Sequence, residues 1–248
     1  RIKYSDSSPK LRDMILANTD FMGTVATTVA PVVNFTLGLK PTKTVMDAVL
    51  KVDKHRTFPK YASKTFEKWY KKNVAAFQNS FPRHVSMFHG CYVNYNYPQL
   101  GKDLVSVMNA LGYGVHLLEN EKCCGTALIS NGMIDQAKRN AANNIESMRK
   151  SVYERQMPVI STSSSCSFTM RDEYPHLLGV KNEDVRDYIE LATRFIYKLI
   201  DQDKVKLVFK KGYKAKVAYH TPCHMEKLGW GIFSTELIKM IPGVELTV

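Results

Sequence analysis

The chain has 248 residues, of which 44% are hydrophobic, and its formal net charge is +12. This length allows one large domain or two small ones with a buried core. Five cysteines, an odd number in a chain this long, do not fit a secreted disulfide scaffold and favour a reducing, cytoplasmic setting. The basic charge suits an anionic partner. No RNA- or DNA-reading motif accompanies it, so we expect lipid or an acidic subunit and no nucleic acid.

Residues 1–80 form a basic region that we expect to be helical and amphipathic. They carry 14 Lys and Arg residues against 6 Asp and Glu residues. Within them, residues 21–39 have no charged side chain, which is close to the length of a membrane span. Pro31 should break this run near its middle. The pattern therefore favours a helix that lies in the membrane interface, or packs on a partner, over one that crosses the bilayer.

A second amphipathic pattern covers residues 64–77, where aromatic residues recur every three or four positions. This spacing places them on one face of a helix, with lysines beside it. Two interpretations are open. The face meets lipid headgroups, where rings and ammonium groups both find partners, or it packs on the rest of the fold. The predicted face comprises Phe66, Trp69, Tyr70 and Phe77, flanked by Lys64, Lys68, Lys71 and Lys72.

From residue 81 onwards, short apolar runs alternate with helical patterns. This alternation predicts an α/β fold with a parallel sheet flanked by helices. In one of the helices, Asn182 should act as the N-cap. The predicted strands are residues 85–89, 115–118, 158–162, 216–219 and 244–248, and the predicted helices are residues 101–111, 133–152, 183–199 and 235–241.

Residues 85–91 and 217–223 resemble each other, since each segment is a predicted strand that leads from a valine to a cysteine six positions later. Such a repeat predicts two tandem units of similar construction. We expect the first unit to span residues 81–212. Residues 213–248 would then be only the beginning of the second unit, which makes the chain a fragment.

Four cysteines follow successive predicted strands: Cys91 the first, Cys123 and Cys124 the second, and Cys166 the third. Because parallel α/β sheets assemble their sites at the carboxyl ends of the strands, we expect these thiols to meet at one edge. Four thiolates suit an iron–sulfur cluster or a tetrahedral zinc ion. Gly125 would let the backbone approach and donate N–H groups to sulfur. Buried thiols that bind no metal are the alternative.

The cysteine spacing and four sequence motifs resemble the cysteine-rich CCG domain family, which includes a subunit of heterodisulfide reductase and electron-transfer subunits of respiratory dehydrogenases. The motifs are His-Gly-Cys-Tyr-Val-Asn-Tyr-Asn from His89, Glu-Lys-Cys-Cys-Gly from Glu121, Arg-Asp-Glu-Tyr-Pro from Arg171, and Tyr-His-Thr-Pro-Cys-His-Met-Glu-Lys from Tyr219. The family pattern closes with Cys-x-x-Cys, whereas Ser163 stands at the first of these two positions here. The first unit therefore offers four thiolates where the family pattern has five.

The resemblance implies an iron–sulfur cluster, most simply of the 4Fe-4S type, in the first unit, with zinc as the alternative metal. It assigns Cys223 to a second site in the second unit. The implied metal ligands are Cys91, Cys123, Cys124, Cys166 and Cys223, and the residues implied to support them are Gly125, Ser163, His89, His220 and His224.

For function, the resemblance implies a non-catalytic electron-transfer subunit on the cytoplasmic face of the inner membrane. Such a subunit takes electrons from flavin-bearing dehydrogenase subunits of the same complex, passes them to membrane quinone in anaerobic respiration, and anchors its partners. Family members of this kind begin with a ferredoxin-type domain, which we expect to be missing here. Two alternatives stay open: a catalytic subunit that cleaves a disulfide, as in heterodisulfide reductase, and a zinc-stabilised structural anchor. No Gly-rich nucleotide motif is present, so no flavin or nicotinamide is expected in this chain.

Overall fold

The N-terminal part of the chain is helical in the computed structural model, which describes residues 8–209 and 211–248. The first seven residues of the predicted basic region lie outside the described residues. The helices before the first strand are α1 (Leu11–Ala17), α2 (Thr19–Thr28), α3 (Ala30–Gly38), α4 (Lys40–Leu50) and α5 (Phe66–Asn73), and a 3₁₀ turn (Ala75–Ser80) follows them.

The uncharged run at residues 21–39 is divided between helices α2 and α3, as the proline predicts. Pro31 lies in the first turn of α3, where the missing N–H needs no partner, and the two helices are bent by 104° at the break. Within residues 8–209 and 211–248, no single helix has the length and apolar character of a membrane span. The α2–α3 pair meets those two criteria only when its helices are taken together.

A four-stranded parallel sheet lies at the centre of the fold, in agreement with the predicted class. Its strands are β1 (Arg83–Phe88), β2 (Tyr113–Leu117), β3 (Val159–Ser161) and β4 (Ile189–Leu191), in the order β2-β1-β3-β4. Strand β1 alternates its side chains between two hydrophobic clusters, with Val85 and Met87 in one and Phe88 in the other. Both faces of the sheet are therefore covered, as is usual for parallel strands.

Helices cover both faces of this sheet. They are α6 (Gly90–Tyr95), α7 (Pro98–Ala110), α8 (Thr126–Ser130), α9 (Ile134–Arg149), α10 (Ser164–Phe168), α11 (Tyr174–Leu178) and α12 (Ala192–Asp201). Helix α9 packs on the face that contains Phe88, through Ala141 and Ile145. Helix α7 packs on the opposite face, through Leu104 and Met108.

The helix predicted at residues 183–199 is wrong over its first half. Strand β4 occupies Ile189–Leu191 and pairs with β3, so helix α12 starts only at Ala192. Asn182 is fully buried and caps no helix, since its side chain donates to the carbonyls of Met170 and Arg171 at 2.7 and 3.0 Å. A short strand that is buried on both sides produces the same apolar spacing as a helical face, and only pairing with β3 separates the two cases.

The interpretation of residues 64–77 as a membrane face is wrong for two of its aromatic residues. Phe66 is fully buried and Tyr70 is 5% exposed, and both lie in the cluster that contains Val85. The Tyr70 hydroxyl donates to the carbonyl of Val115 at 2.6 Å. The alternative interpretation, packing on the α/β core, is the one observed, because the sheet offers an apolar surface that removes both rings from water. Trp69 is partly buried against the same cluster, whereas Phe77, Lys64, Lys68, Lys71 and Lys72 are exposed.

Residues 215–247 form a separate sheet of two parallel strands, β5 (Ala215–Ala218) and β6 (Val244–Thr247). Helices α13 (Cys223–Lys227) and α14 (Gly231–Lys239) lie between them in the sequence. The order of strand, loop, cysteine and helix seen after β1 therefore recurs after β5. Buried Trp230 connects this segment to the fold around the four-stranded sheet. Its ring centroid lies 5.0 and 4.7 Å from the guanidinium carbons of Arg171 and Arg194. The unit boundaries after residues 80 and 212 stay predictions.

Candidate metal centre

The turn that carries Cys91 connects strand β1 to helix α6. Gly90 has a φ of +72°, a left-handed conformation that favours glycine, and this bends the chain so that Cys91 follows at the strand end. The Glu121 carboxylate accepts the backbone N–H groups of His89 and Gly90 at 3.0 and 2.7 Å. Because Glu121 belongs to the segment before Cys123, this carboxylate connects two of the cysteine-bearing loops.

Cys123 and Cys124 lie in the loop between strand β2 and helix α8. Gly125 ends this loop with a φ of +91°, and its N–H donates to Cys123. The side chain of Asn144, on helix α9, accepts from the N–H of Lys122 and donates to its carbonyl at 2.9 and 3.0 Å. The cysteine loop is therefore held at the residue that precedes the cysteine pair, and both thiols are buried.

Cys166 lies inside helix α10, just after strand β3. Ser163 caps this helix, because its hydroxyl oxygen accepts the N–H of Cys166 at 3.2 Å. The serine that replaces a cysteine of the family pattern therefore has a structural role at the start of α10. Its side chain lines the same cavity as Cys166 but supplies no thiol.

The structure brings together four of the five predicted ligands. Cys91, Cys123, Cys124 and Cys166 line one cavity of about 470 Å³ at the carboxyl edge of the sheet. Cys91 and Cys124 both donate to the Cys123 sulfur, and Cys124 also hydrogen-bonds with Cys166. Three separate segments, each following a different strand, therefore bring their sulfur atoms to one place.

Hydrogen bonds among these thiols favour negative charge on one of them. Donation from Cys124 and Cys91 lowers the pKa of Cys123 well below its usual range, helped by the hydroxyl of Thr19 and the N–H of Gly125. Donating to Cys123 raises the pKa of Cys91 and of Cys124. The centre thus places a thiolate among donors, which is the electrostatic environment that a metal ligand requires.

The chemistry of the donor set fits a soft metal centre. Four thiols are close enough to hydrogen-bond, and the cavity that they line is otherwise mostly apolar. In the part of the chain that the structure describes, no three His, Cys, Asp or Glu side chains are already spread around a common metal position. Binding of a metal would therefore require deprotonation of the thiols and a rearrangement of their side chains.

Two carboxylates line an adjoining cavity of about 640 Å³ beside the thiols: that of Glu121, whose side chain is 6% exposed, and that of the partly buried Asp20. Burial raises the pKa of Glu121 to about 7, while His89 and the two backbone N–H groups oppose the shift. Burial also raises the pKa of Asp20, whose carboxylate accepts the N–H of Cys123 at 2.7 Å. His89 itself is buried, with Nδ1 3.2 Å from Glu121 and 3.1 Å from the Gly90 carbonyl oxygen.

The predicted residues of the second unit are not part of this centre. Cys223 is exposed at the start of α13, and His220 is exposed before it. His224 does reach the first unit, since its Nδ1 lies 3.0 Å from the Ser165 hydroxyl and its ring stacks on Phe168 with centroids 4.8 Å apart. It therefore contacts the α10 segment that carries Cys166, but not the sulfur itself.

Sequence reasoning missed Thr19, Asp20 and Thr126. Thr126 lies 3.2 Å from the Cys124 sulfur, and its position two residues after the cysteine pair was a usable signal. Thr19 donates to the Cys123 sulfur at 3.2 Å from 104 positions away along the chain. No local pattern could have indicated that contact.

Comparisons with known proteins agree with the motif resemblance. Residues 85–171 match the cysteine-rich domain family CCG. The chain is 52% identical, over its whole length, to a subunit of the anaerobic glycerol-3-phosphate dehydrogenase of Escherichia coli (strain K12), and it spans 62% of that protein. It is 32% identical to lactate utilization protein A of Bacillus velezensis, over 66% of the chain and 67% of that protein.

The chain also matches a smaller share of a longer relative. The chain is 32% identical to a subunit of the dihydromethanophenazine:CoB–CoM heterodisulfide reductase of Methanosarcina mazei, over 65% of the chain and 39% of that protein. No solved structure matches the chain significantly. The matched residues include Cys91, Cys123, Cys124 and Cys166, and the chain belongs to the family of proteins built on the cysteine-rich CCG domain.

Proposed function

We propose that this chain is part of an iron–sulfur electron-transfer subunit of a glycerol-3-phosphate dehydrogenase complex. The observation that carries the proposal is the convergence of four thiols, from the segments that follow β1, β2 and β3, at one edge of the sheet. The relatives support it by name, since one is a subunit of such a dehydrogenase and another is called an iron–sulfur protein. Flavin-bearing subunits of the same complex would be the source of the electrons.

In this proposal, Cys91, Cys123, Cys124 and Cys166 hold the cluster, which is of the 4Fe-4S type and supplies one-electron transfer when bound. The chain's own residues bury the sulfurs, exclude water and donate hydrogen bonds to them. Cys123 receives such bonds from Thr19 and from the N–H of Gly125. Cys223 would belong to a second site in the unit that begins with β5.

Metal analysis of anaerobically purified full-length protein tests this proposal. We expect iron and acid-labile sulfide in matching amounts, with an EPR signal on reduction. Zinc without iron would show instead that the first unit is a structural zinc module. A preparation that holds neither metal, even after reconstitution with iron and sulfide, would favour buried thiols with no metal role.

Disulfide cleavage at the cluster is a second candidate, favoured by the largely apolar cavity that adjoins the thiols. The capping role of Ser163 argues against it, because this position supplies no fifth thiolate. Turnover of a disulfide substrate by the isolated full-length protein, at a rate similar to that of electron transfer, would overturn the relay assignment.

We also propose that helices α2, α3 and α4 hold the protein on an anionic membrane surface and bring the centre close to membrane quinone. Each helix exposes two large apolar side chains, and exposed basic residues follow them at Lys40, Lys51, Lys54 and Arg56. The apolar side chains, here called the exposed apolar set, are Phe21, Val25, Val32, Phe35, Val45 and Val49, all at least half exposed. The contact of helix α2 with Cys123 through Thr19 supports this part of the proposal, because it connects the same helix to the centre.

Replacing both Val32 and Phe35 by aspartate is expected to remove most of the binding to anionic vesicles. Two charges would then face the lipid where two of the most exposed apolar side chains lie, at 63% and 69% exposure. Co-sedimentation of the full-length protein with vesicles of phosphatidylglycerol and phosphatidylethanolamine measures the effect. Phe77→Asp is the matched control, because Phe77 is 43% exposed but lies outside the exposed apolar set. Equal sedimentation of all three proteins would refute membrane contact through these helices.

A further inference from the structure

Helix α2 contacts the cysteine centre although it lies outside the residues that match the CCG family. Its first residue, Thr19, donates its hydroxyl to the Cys123 sulfur at 3.2 Å. The next residue, Asp20, accepts the backbone N–H of the same cysteine at 2.7 Å. Two consecutive side chains of one helix therefore hold both the sulfur and the main chain of Cys123.

Close packing keeps this end of α2 against the centre. The Asn18 side chain accepts a hydrogen bond from Gln136 on helix α9 at 2.5 Å. On the other side, Gly23 lies against the ring of Tyr95, and a Cβ at this position would come within 2.3 Å of that ring. A larger residue at position 23 would force either helix α2 or the Tyr95 ring to move, so this close packing depends on a glycine.

We propose that Thr19 and Asp20 are positioning residues of the cysteine centre, so that helix α2 completes a site whose ligands all lie in the CCG segment. Thr19 supplies an O–H donor to the Cys123 sulfur, and this donor would stabilise the reduced form of a bound cluster. Asp20 fixes the backbone of Cys123 and hence the direction of its sulfur. The role of Thr19 in reduction rests on the proposed function, whereas the positioning of Cys123 applies to any bound metal.

Thr19→Val tests the donor directly, because valine keeps the shape of threonine and removes the hydroxyl. In the full-length protein, the midpoint potential from an EPR-monitored redox titration should move to a more negative value. Iron release to a chelator should become about 10-fold faster, which is the lower end of what loss of an outer hydrogen-bond partner costs in metal affinity. Thr19→Ser restores a hydroxyl and should return both quantities to the wild-type values.

Thr28→Val is the matched control on the same helix, since the Thr28 hydroxyl donates to the backbone carbonyl of Thr24 and is exposed. For Asp20, the asparagine variant keeps an oxygen acceptor for the Cys123 N–H, whereas Asp20→Ala removes it. Of these two Asp20 variants, only Asp20→Ala should release metal faster than the wild type. Identical potentials and release rates in Thr19→Val and wild type would overturn the inference, as would a Thr19→Ser variant that behaves like Thr19→Val.

The metal content of the wild-type protein separates this inference from the proposed function. If the protein holds zinc, the electron-transfer proposal fails, and the same variants are compared by the rate of zinc release. Faster release from Thr19→Val and Asp20→Ala then still supports the positioning of Cys123 by α2. Unchanged release rates overturn it whichever metal is present.

Discussion

Replacing Cys124 by serine is expected to abolish cluster binding in the first unit. Cys124 is 4% exposed and hydrogen-bonds to both Cys123 and Cys166, so it occupies the middle of the thiol network. Serine has a similar size but offers a hard oxygen that remains protonated, whereas iron in clusters is held by soft thiolates. The metal affinity should fall by more than the roughly 10- to 100-fold that is lost when an outer hydrogen-bond partner of a ligand is changed.

Iron and sulfide analysis, with EPR of the reduced full-length protein, measures this effect. Cys223→Ser is the matched control, because Cys223 is exposed and lies apart from the cavity that the other four cysteines line. We expect its first-unit cluster signal to equal that of the wild type. A Cys124→Ser protein with undiminished iron and an unchanged EPR signal would contradict the ligand assignment.

Phe66→Ala is expected to lower the free energy of unfolding by about 3–5 kcal/mol, the usual cost of truncating a fully buried phenylalanine. Phe66 is 0% exposed and lies in the cluster on the Val85 face of the sheet. Its ring also packs against Trp69 at 5.9 Å and against His89, next to the cysteine turn, at 5.8 Å between ring centroids. Gly101 faces the ring so closely that a Cβ there would lie 2.7 Å from it, and the glycine has no side chain that could refill the lost volume.

Urea unfolding followed by circular dichroism measures this change. Phe35→Ala is the control for the same residue type, since Phe35 is 69% exposed on helix α3, and its effect should stay within about 0.5 kcal/mol. If Phe66→Ala instead left stability unchanged and reduced vesicle binding, the packing of α5 on the sheet would be refuted and the membrane interpretation restored.

The approach of the four cysteines could be anticipated because it depends on topology alone. In a parallel sheet every strand ends at the same edge, so cysteines that follow β1, β2 and β3 must lie near one another. Hydrophobic periodicity was enough to predict those three strands, and the alternation with helices gave the fold class. The motif around Cys123 and Cys124 was also enough to indicate the CCG family.

Other features could not be read from local patterns, because each depends on what packs against the segment. Strand β4 has the same apolar spacing as the helix predicted there, and its identity follows from pairing with β3. The aromatic residues of α5 fit a lipid boundary and a protein core equally well, and Phe66 is buried only because the sheet lies beneath it.

For the cysteine centre too, some features follow from the sequence and others only from the tertiary structure. Its thiols, their order and their edge of the sheet follow from residue type and strand order, which are properties of the chain itself. The hydroxyl of Thr19 and the carboxylate of Asp20 join it from more than 100 positions away. Such contacts form only when helix α2 packs against the folded cysteine segment. A sequence separation of more than 100 positions is not predicted by any local spacing pattern.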